Sequence, residues 1–230
     1  TEWLEPSAGA GVFLPYLDNN YLAFDIEPES DNIEQKNYLE LDLPYFKGRC
    51  VIGNPPFGRS NNLTVAFYKK AIQQADYIAF ILPVSQYENN IRLFDFDMIY
   101  SEKLNDIPYS GKVLKCCFNI YKRPNSGLNK KPDYRLNDIT ILEHHSTRNP
   151  IPFDYNTHDF RMCAWGAAMG SEVHENKYAL EYCIKVNDKS KVNQVLNCLR
   201  NTDWKTNIST PNLCKWQILK HLKEQITELN

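Results

Sequence analysis

The residues with the clearest chemical meaning are Asn54-Pro55-Pro56-Phe57, which follow a short apolar run ending at Gly53. The asparagine side-chain oxygen and the carbonyl of the next residue can accept hydrogen bonds from both N–H bonds of an amino group on an aromatic ring. Such bonds pull the nitrogen lone pair out of conjugation and make it nucleophilic. The prolines fix φ and remove competing N–H donors, and Phe57 offers a ring for stacking. The segment therefore predicts chemistry at a planar amino nitrogen.

A glycine-containing turn lies earlier in the chain, at Glu5-Pro6-Ser7-Ala8-Gly9-Ala10-Gly11. Its glycines let the backbone approach a ligand closely, but Leu14 stands where a dinucleotide-binding fingerprint requires a third glycine. Glu5 would repel a phosphate and attract an ammonium group. Asp25 and Asp42 follow the next two apolar runs, where they suit a ribose diol and an adenine amino group. This pattern indicates a ligand that carries an amino-acid end, a ribose and an adenine, as S-adenosylmethionine does.

The elements that must position these residues alternate along the first half of the chain. Apolar runs typical of strands are separated by glycine turns or by apolar residues at helical spacing. Strands are predicted at 3–5, 21–25, 38–41, 50–53, 77–82 and 112–121, and helices after the glycine turn and at 63–75. This alternation predicts an α/β fold with a parallel, doubly wound, Rossmann-like sheet.

The composition is that of a soluble globular protein, with 43% hydrophobic and 23% charged residues, which excludes a disordered chain, a collagen and a coiled coil. The longest apolar run, Tyr77 to Val84, is far shorter than the roughly 20 residues that span a bilayer, and no secretory leader is visible. The seven cysteines include no C-x-x-C pair. We therefore expect reduced thiols and a cytoplasmic location.

The charge is distributed unevenly along the chain. Residues 1–50 contain ten acidic and three basic side chains, whereas residues 103–135 contain eight basic and two acidic ones, and residues 177–223 contain nine basic and three acidic ones. This asymmetry is consistent with a polyanionic partner on the later part of the chain, although lysines on solvated helix faces would give the same pattern.

Taken in order, the glycine turn, Asp25, Asp42 and the Asn54 segment resemble the class I S-adenosylmethionine-dependent methyltransferases that modify amino nitrogens. They are most similar to the adenine-N6 DNA methyltransferases of restriction–modification systems. The run Phe80-Ile81-Leu82-Pro83 and the segment 117–123 resemble later motifs of that family. The similarity is strongest over residues 3–84 and weakest beyond residue 123.

The resemblance implies S-adenosylmethionine as cofactor and a set of site residues. The cofactor would be held by Glu5, Ser7, Gly9 and Gly11 at the methionine end, by Asp25 at the ribose, by Ile26 over the adenine, and by Asp42 and Leu43 at its edge. Catalytic roles fall to Asn54, Pro55, Pro56 and Phe57, and substrate binding to Phe118. The basic stretch 103–135 adds Lys122 and Arg123 as expected substrate-binding residues.

The resemblance also implies an organisation and partners. Residues 1–145 would form the catalytic domain, and residues 146–230 a smaller α+β region for nucleic-acid recognition, divided at the turn-rich segment 146–150. We expect duplex DNA as substrate, a restriction endonuclease or specificity subunit as protein partner, no membrane and no metal. The family usually has a helix ahead of the glycine strand that closes over the cofactor, and this sequence begins at Thr1 inside that strand. That helix is therefore missing, disordered or on a part of the protein outside this sequence, and the cofactor affinity of residues 1–230 depends on which of these holds.

Three alternatives remain open at the level of sequence. The same catalytic segment could methylate adenine in RNA, or the side-chain amide of a protein glutamine, although the glutamine family favours tyrosine at the position of Phe57. The chain could also be a DNA-binding module with a degenerate cofactor pocket. The intact Asn54 to Phe57 segment argues against that last interpretation.

Overall fold

The computed structural model describes residues 1–105, 107–109, 112–145, 157–175, 178–205 and 212–229. The chain divides into two compact units, Thr1–Pro132 and Asp133–Asn230. The predicted boundary segment 146–150 lies outside the described residues.

The first unit is built on a seven-stranded sheet in the order β3-β2-β1-β4-β5-β9-β6. Strands β1 to β5 are mutually parallel, and β9 is antiparallel to both β5 and β6. The strands of this unit are β1 (Trp3–Glu5), β2 (Tyr21–Asp25), β3 (Glu34–Gln35), β4 (Cys50–Gly53), β5 (Tyr77–Pro83), β6 (Asp97–Lys103), β7 (Ile107–Tyr109), β8 (Lys112–Leu114) and β9 (Cys116–Lys122), with β7 and β8 forming a separate hairpin. The large sheet is Rossmann-like α/β, as the alternation of elements predicts.

This topology gives the sheet two chemically distinct edges. The carboxyl edge is where β1 to β5 end and where the antiparallel β9 begins. The amino edge is where β1 to β5 begin and where β9 ends at Lys122. Because the strand order reverses between β1 and β4, a crevice for a ligand is expected at their carboxyl ends.

The core of this unit lies between the sheet and α1 (Asn62–Gln74). Leu4, Val51, Ile78 and Phe80 are buried on the strands, and α1 buries residues at helical spacing, namely Phe67, Tyr68, Ala71 and Ile72. Each large side chain buried in this way contributes about 1.5–3 kcal/mol. The hydroxyl of Tyr68 also accepts a hydrogen bond from the Phe96 backbone N–H at 2.9 Å, so the helix stays fixed relative to the segment that leads into β6.

Two sequence-based predictions for this unit are wrong. The strand predicted over 38–41 is instead a short 3-10 helix, Tyr38–Glu40, because the Asn37 side chain caps the backbone N–H of Leu39 and the Tyr38 ring packs 5.4 Å from that of Phe67. After the glycine turn the chain forms only a 3-10 turn at Leu14–Tyr16, since Pro15 removes a backbone donor that a longer helix would need. The strand predicted over 112–121 is divided into β8 and β9.

The second unit has its own sheet and core. Four antiparallel strands, β10 (Ile139–His144), β11 (Phe160–Cys163), β12 (Glu172–Val173) and β13 (Glu181–Val186), are arranged in the order β10-β13-β11-β12. Helices α2 (Val192–Arg200) and α3 (Lys215–Gln225) complete a shared apolar core with the sheet. Because β10 pairs with β13 along its whole length, the second unit begins before the boundary predicted at 145/146.

Within the described ranges, none of the helices combines the length and the apolar content that a membrane crossing requires.

Candidate functional site

The two motifs that lie far apart in the sequence meet at the carboxyl edge. Strands β1 and β4 are parallel neighbours with Leu4 opposite Val51, so the residues that follow them emerge side by side. The Ser7 hydroxyl donates to the Asn54 backbone carbonyl at 3.4 Å. A Cβ added to Gly53 would lie 3.5 Å from Pro6 Cδ and 3.8 Å from Ser7 Oγ. The glycine turn and the Asn54 segment therefore form one surface.

The glycine turn has a conformation that requires glycine at Gly11. Gly9 and Gly11 have φ of +53° and +74°, and a Cβ on Gly11 would lie only 2.9 Å from Leu14 Cδ1. The Gly9 backbone N–H donates to Asp25 Oδ2 at 2.8 Å, and the other oxygen of Asp25 accepts from the Glu27 backbone N–H at 2.9 Å. Asp25 thus holds the turn against the end of β2, and its carboxylate retains further acceptor capacity for a ligand.

Glu5 is the most unusual group of the site. It ends β1 and is 1% exposed, and its Oε2 atom has no hydrogen-bond partner among the described residues. Burial raises the pKa of Glu5 to about 7, and the nearby negative charge of Asp25 contributes to the increase. A buried carboxylate without a partner is costly, and a cationic ligand group would relieve that cost.

These residues fit an S-adenosylmethionine molecule. Glu5 supplies an acceptor for a cationic amino-acid end, and Asp25 supplies one for a diol. Ile26, which follows β2, is 63% exposed and offers an apolar surface, while its carbonyl is occupied by the Gln35 side-chain amide at 3.0 Å. Asp42 is exposed, and Leu43 packs against the core of the unit. Both follow the 3-10 helix at 38–40 rather than a strand.

The Asn54 segment, which the sequence predicts to be catalytic, is held at both ends while Asn54 remains exposed. Pro55 is buried and Phe57 is half-buried, and the Pro56 carbonyl accepts from the Thr64 hydroxyl of α1 at 3.4 Å. Gly58 has φ of +64°, and a Cβ there would lie 2.8 Å from Leu63 Cγ. Within the part of the chain that the structure describes, the Asn54 side chain forms no hydrogen bond, so its amide is available to a substrate.

Phe118 lies near this surface, on β9. Gly53 pairs with Phe80 on β5, and the next residue of β5, Ile81, pairs with Phe118. Two strand spacings of about 4.8 Å each separate β4 from β9, so Phe118 is roughly 10 Å from the end of β4. The ring is half-buried and contacts Tyr100 edge-on, with centroids 6.4 Å apart. A nucleobase at Asn54 could reach it.

Lys122 and Arg123 are not brought to this surface. Lys122 is the last residue of β9, about 20 Å along the strand from its first residue, and Arg123 follows it, so both lie at the amino edge. The Arg123 guanidinium donates to the Ala75 carbonyl at 2.8 Å and to the Ile72 carbonyl, and its Nε lies 3.2 Å from Asp76 Oδ1. Arg123 therefore caps the end of α1. The antiparallel direction of β9, which the sequence does not show, accounts for this position.

The carboxyl edge contains two basic residues that sequence reasoning missed, Arg59 and Arg92. Arg59 lies two residues after Phe57, and this proximity could have identified it. Arg92 donates to the Ser60 carbonyl and, at 2.9 Å, to Asn62 Oδ1. It is separated from Asn54 by 38 positions and carries no motif, so no sequence signal could have found it.

No protein-family model matches this chain, and no curated protein matches it. Solved structures that resemble it include a protein from Thermoplasma acidophilum (22% identity, 53% of this chain and 74% of that chain, TM-score 0.39). A second is the 23S rRNA methyltransferase ErmE (13% identity, 56% of this chain and 64% of that chain, TM-score 0.42). A third is the M protein of the type I restriction enzyme EcoKI (16% identity, 56% of this chain and 41% of that chain, TM-score 0.41). All three TM-scores are below 0.5, so the description of the fold rests on the strand order and pairing of this chain.

Proposed function

We propose that the first unit is an S-adenosylmethionine-dependent methyltransferase that acts on the N6 amino group of adenine in DNA. The observation that carries the proposal is the meeting of the glycine turn and the Asn54 segment at the switch point between β1 and β4. A cofactor surface and an acceptor for an amino group are adjacent there, as direct transfer between the two requires.

The cofactor side of the proposal rests on charge and backbone conformation. The partnerless Oε2 of Glu5 would accept the ammonium group of the methionine end, and Asp25 would accept from the ribose hydroxyls while it keeps the Gly9 turn in place. The positive φ of Gly9 and Gly11 allows the ligand to lie against the backbone.

The substrate side rests on the exposed Asn54 amide. Asn54 Oδ1 and the Pro55 carbonyl would accept from the two N–H bonds of the adenine amino group, which makes the nitrogen a better nucleophile. Phe57 would stack on the base, with Phe118 at the far side. Preorganised acceptors at the reacting atom are the largest contributors to catalysis of this kind.

S-adenosylmethionine held by Glu5 and Asp25 would supply an electrophilic methyl group and would leave as S-adenosylhomocysteine. Asn54 and Pro55 would hold the amino nitrogen that accepts the methyl group and gives up one proton to water. An adenine inside a duplex cannot reach Asn54, because the stack covers both ring faces. The base must leave the helix, which costs a few kcal/mol.

The test is the transfer of tritiated methyl groups to separate pools of DNA, RNA and protein, followed by digestion and identification of the labelled residue. We expect label in N6-methyladenine from DNA. Asn54→Ala should remove the labelling, whereas Asn125→Ala, an exposed asparagine beyond β9, should leave it intact. Label in RNA adenine or in protein glutamine would replace the proposed substrate. Absence of label together with absence of S-adenosylhomocysteine binding would contradict the proposal.

A further inference from the structure

Beyond Asn54, the carboxyl edge presents two arginines on consecutive connections of the fold. Arg59 lies five residues after Asn54, so its Cα is within about 18 Å of that of Asn54 whatever the path of the chain. Arg92 belongs to the segment between β5 and β6 and reaches back to the residues that begin α1. Both residues therefore belong to connections that lie next to the Asn54 segment at the carboxyl edge.

Arg92 stabilises a backbone conformation that is unfavourable by itself. Ser60 and Asn61 have φ of 53° and 60°, in the left-handed region that residues other than glycine rarely adopt. The guanidinium binds the Ser60 carbonyl and the Asn62 side chain, one on each side of Asn61. The loop that carries Arg59 is consequently held by Arg92. Strain of this kind is retained where the surrounding structure has a use for it.

The charge of the two arginines is not neutralised locally. Neither Arg59 nor Arg92 forms an ion pair with a carboxylate among the residues that the structure describes, and both acceptors of Arg92 are uncharged oxygens. At the amino edge, by contrast, Arg49 lies 2.5 Å from a carboxylate oxygen of Glu2. An arginine held only by neutral acceptors keeps its full charge for an anionic partner.

The rest of this side of the sheet supports an anionic partner. Lys103 ends β6 and Lys115 precedes β9, so both are also at the carboxyl edge. Two acids share the region, and each is hydrogen-bonded to a neighbouring tyrosine: Glu102 accepts from Tyr100 at 2.5 Å, and Glu88 bonds to Tyr87. Among the described residues, four basic groups stand against two acidic ones on the half of this edge formed by β4, β5, β9 and β6, whereas Glu5 and Asp25 end β1 and β2 on the other half.

We infer that Arg59 and Arg92 contact the backbone phosphates next to the target adenine. The inference rests on the proposed function, because it names where the nucleic acid lies. Guanidinium groups bind phosphate oxygens in bidentate fashion, and such contacts set the register of a nucleic acid without reading its sequence. Because Arg92 also holds the loop of Arg59, a phosphate bound between them would fix the loop that follows Phe57.

The experiment measures the affinity of a labelled DNA duplex by fluorescence anisotropy at four salt concentrations, with an RNA hairpin of equal length as a second arm. Arg59→Ala and Arg92→Ala should each make the slope of log K against log salt shallower by about 1, since each phosphate contact releases about one counterion. Lys130→Ala combined with Lys131→Ala removes two charges from the loop after β9. That loop is tied to the amino edge through Asn129, so this double variant should leave the slope unchanged.

Arg92→Lys separates charge from loop geometry. The salt slope of Arg92→Lys should equal that of the wild type, because the positive charge is kept. Its methylation rate should be as low as that of Arg92→Ala, because a lysine cannot bind both acceptors of Arg92. S-adenosylhomocysteine affinity should stay within twofold in every variant, which shows that each is folded. Slopes equal to that of the wild type in both arginine variants, or a larger change in the Lys130/Lys131 variant, would overturn the inference while leaving the proposed reaction intact. Failure of the wild type to bind or methylate either nucleic acid would overturn both.

Discussion

The two edges of the first sheet differ in how completely their polar groups are satisfied. At the amino edge, Arg49 is 4% exposed and binds Glu2 as well as the carbonyls of Pro44 and Gln74 at 2.7 and 3.2 Å. Arg123 is bound in the same way to Asp76 and to carbonyls at the end of α1. At the carboxyl edge, neither the buried Oε2 of Glu5 nor the exposed amide of Asn54 has a hydrogen-bond partner within the part of the chain that the structure describes.

This difference separates structural from functional polar groups. Leaving a buried donor or acceptor unpaired costs about 1–3 kcal/mol. The charged groups Arg49 and Arg123 of the amino edge avoid that cost, although the buried indole N–H of Trp3 at the start of β1 has no partner among the described residues. At the carboxyl edge, Glu5 bears this free-energy cost, and a cationic ligand could supply the missing partner. A polar group that lacks hydrogen-bond partners at the end of a parallel strand is therefore a better indicator of a ligand site than the presence of a charged group.

The second unit contains a buried cluster of charged and polar side chains. Arg161 and Glu181 are fully buried, with Nη1 of the arginine 3.5 Å from Oε2 of the glutamate, and Arg161 Nε donates to His158 Nε2 at 3.1 Å. This cluster is internally paired across β11 and β13. A buried charge within a paired network is an ordinary structural feature, so its burial alone does not indicate a ligand site.

The largest effect is expected from Asn54→Ala at the carboxyl edge. Loss of one preorganised acceptor at the reacting nitrogen should lower the rate of methyl transfer about 10²–10³-fold, which corresponds to roughly 3–4 kcal/mol. The Asn54 side chain has no partner within the described residues, so the free energy of unfolding should change by less than about 0.5 kcal/mol. Single-turnover kinetics and urea unfolding measure the two quantities, and a rate within threefold of the wild type would exclude the role of Asn54.

The opposite pattern is expected from Arg49→Ala at the amino edge. The substitution leaves Glu2 and the Pro44 and Gln74 carbonyls without their shared donor, and the free energy of unfolding should fall by about 3 kcal/mol. Lys47→Ala, two residues earlier and exposed, is the matched control and should cost less than about 0.5 kcal/mol. Equal stability of the two variants in urea unfolding would remove the distinction between the edges.

A smaller effect is expected at Asp25. Asp25→Ala should weaken S-adenosylhomocysteine binding more than tenfold, because a charge-assisted contact contributes roughly 1.5–3 kcal/mol. Asp25→Asn retains an oxygen for the Gly9 N–H and removes the charge, so it separates the support of the turn from the binding of the ribose. Calorimetry measures both, with the exposed Asp31→Ala as control. Unchanged affinity in Asp25→Ala would make this carboxylate purely structural.

The smallest effect is a pH dependence that originates at Glu5. With its pKa raised to about 7, the ionised fraction increases about eightfold between pH 6 and pH 7.5, and the affinity for S-adenosylhomocysteine should increase by up to that factor. Since the folded pKa exceeds the unfolded value, the contribution of Glu5 to stability is present at low pH and is lost as the pH rises towards 7. Calorimetry at four pH values should show this trend, and Glu5→Gln should abolish it. An equal pH dependence of the affinity in Glu5→Gln would show that a group other than Glu5 causes it.

The sequence was sufficient for features that depend on neighbouring residues. The turn after Gly53 could be predicted because two consecutive prolines restrict the backbone whatever surrounds them. The glycine turn could be predicted because glycine adopts a positive φ more readily than other residues, and Gly9 and Gly11 stand close together in the sequence. The alternation of strands and α1 followed from hydrophobic periodicity, which is a local property of the chain. These features were enough to predict the α/β fold and to choose Glu5, Asp25 and Asn54.

Features that depend on pairing between distant segments could not be predicted. The direction of β9 decides that Phe118 lies near the site and that Arg123 lies at the opposite edge, and nothing within residues 116–123 encodes that direction. Residues 38–41 have a strand-like composition, but packing of Tyr38 on Phe67 outweighs that weak local preference.

The sequence by itself therefore determined which chemistry is present, because side-chain types and backbone restrictions belong to individual residues. Only the tertiary structure decided which of these groups share a surface and which are already satisfied. The Ser7–Asn54 contact, the partnerless Glu5 oxygen and the hold of Arg92 on the loop after Phe57 all join segments that are far apart in the chain. Such relations arise when strands pair and pack, and no local pattern contains them.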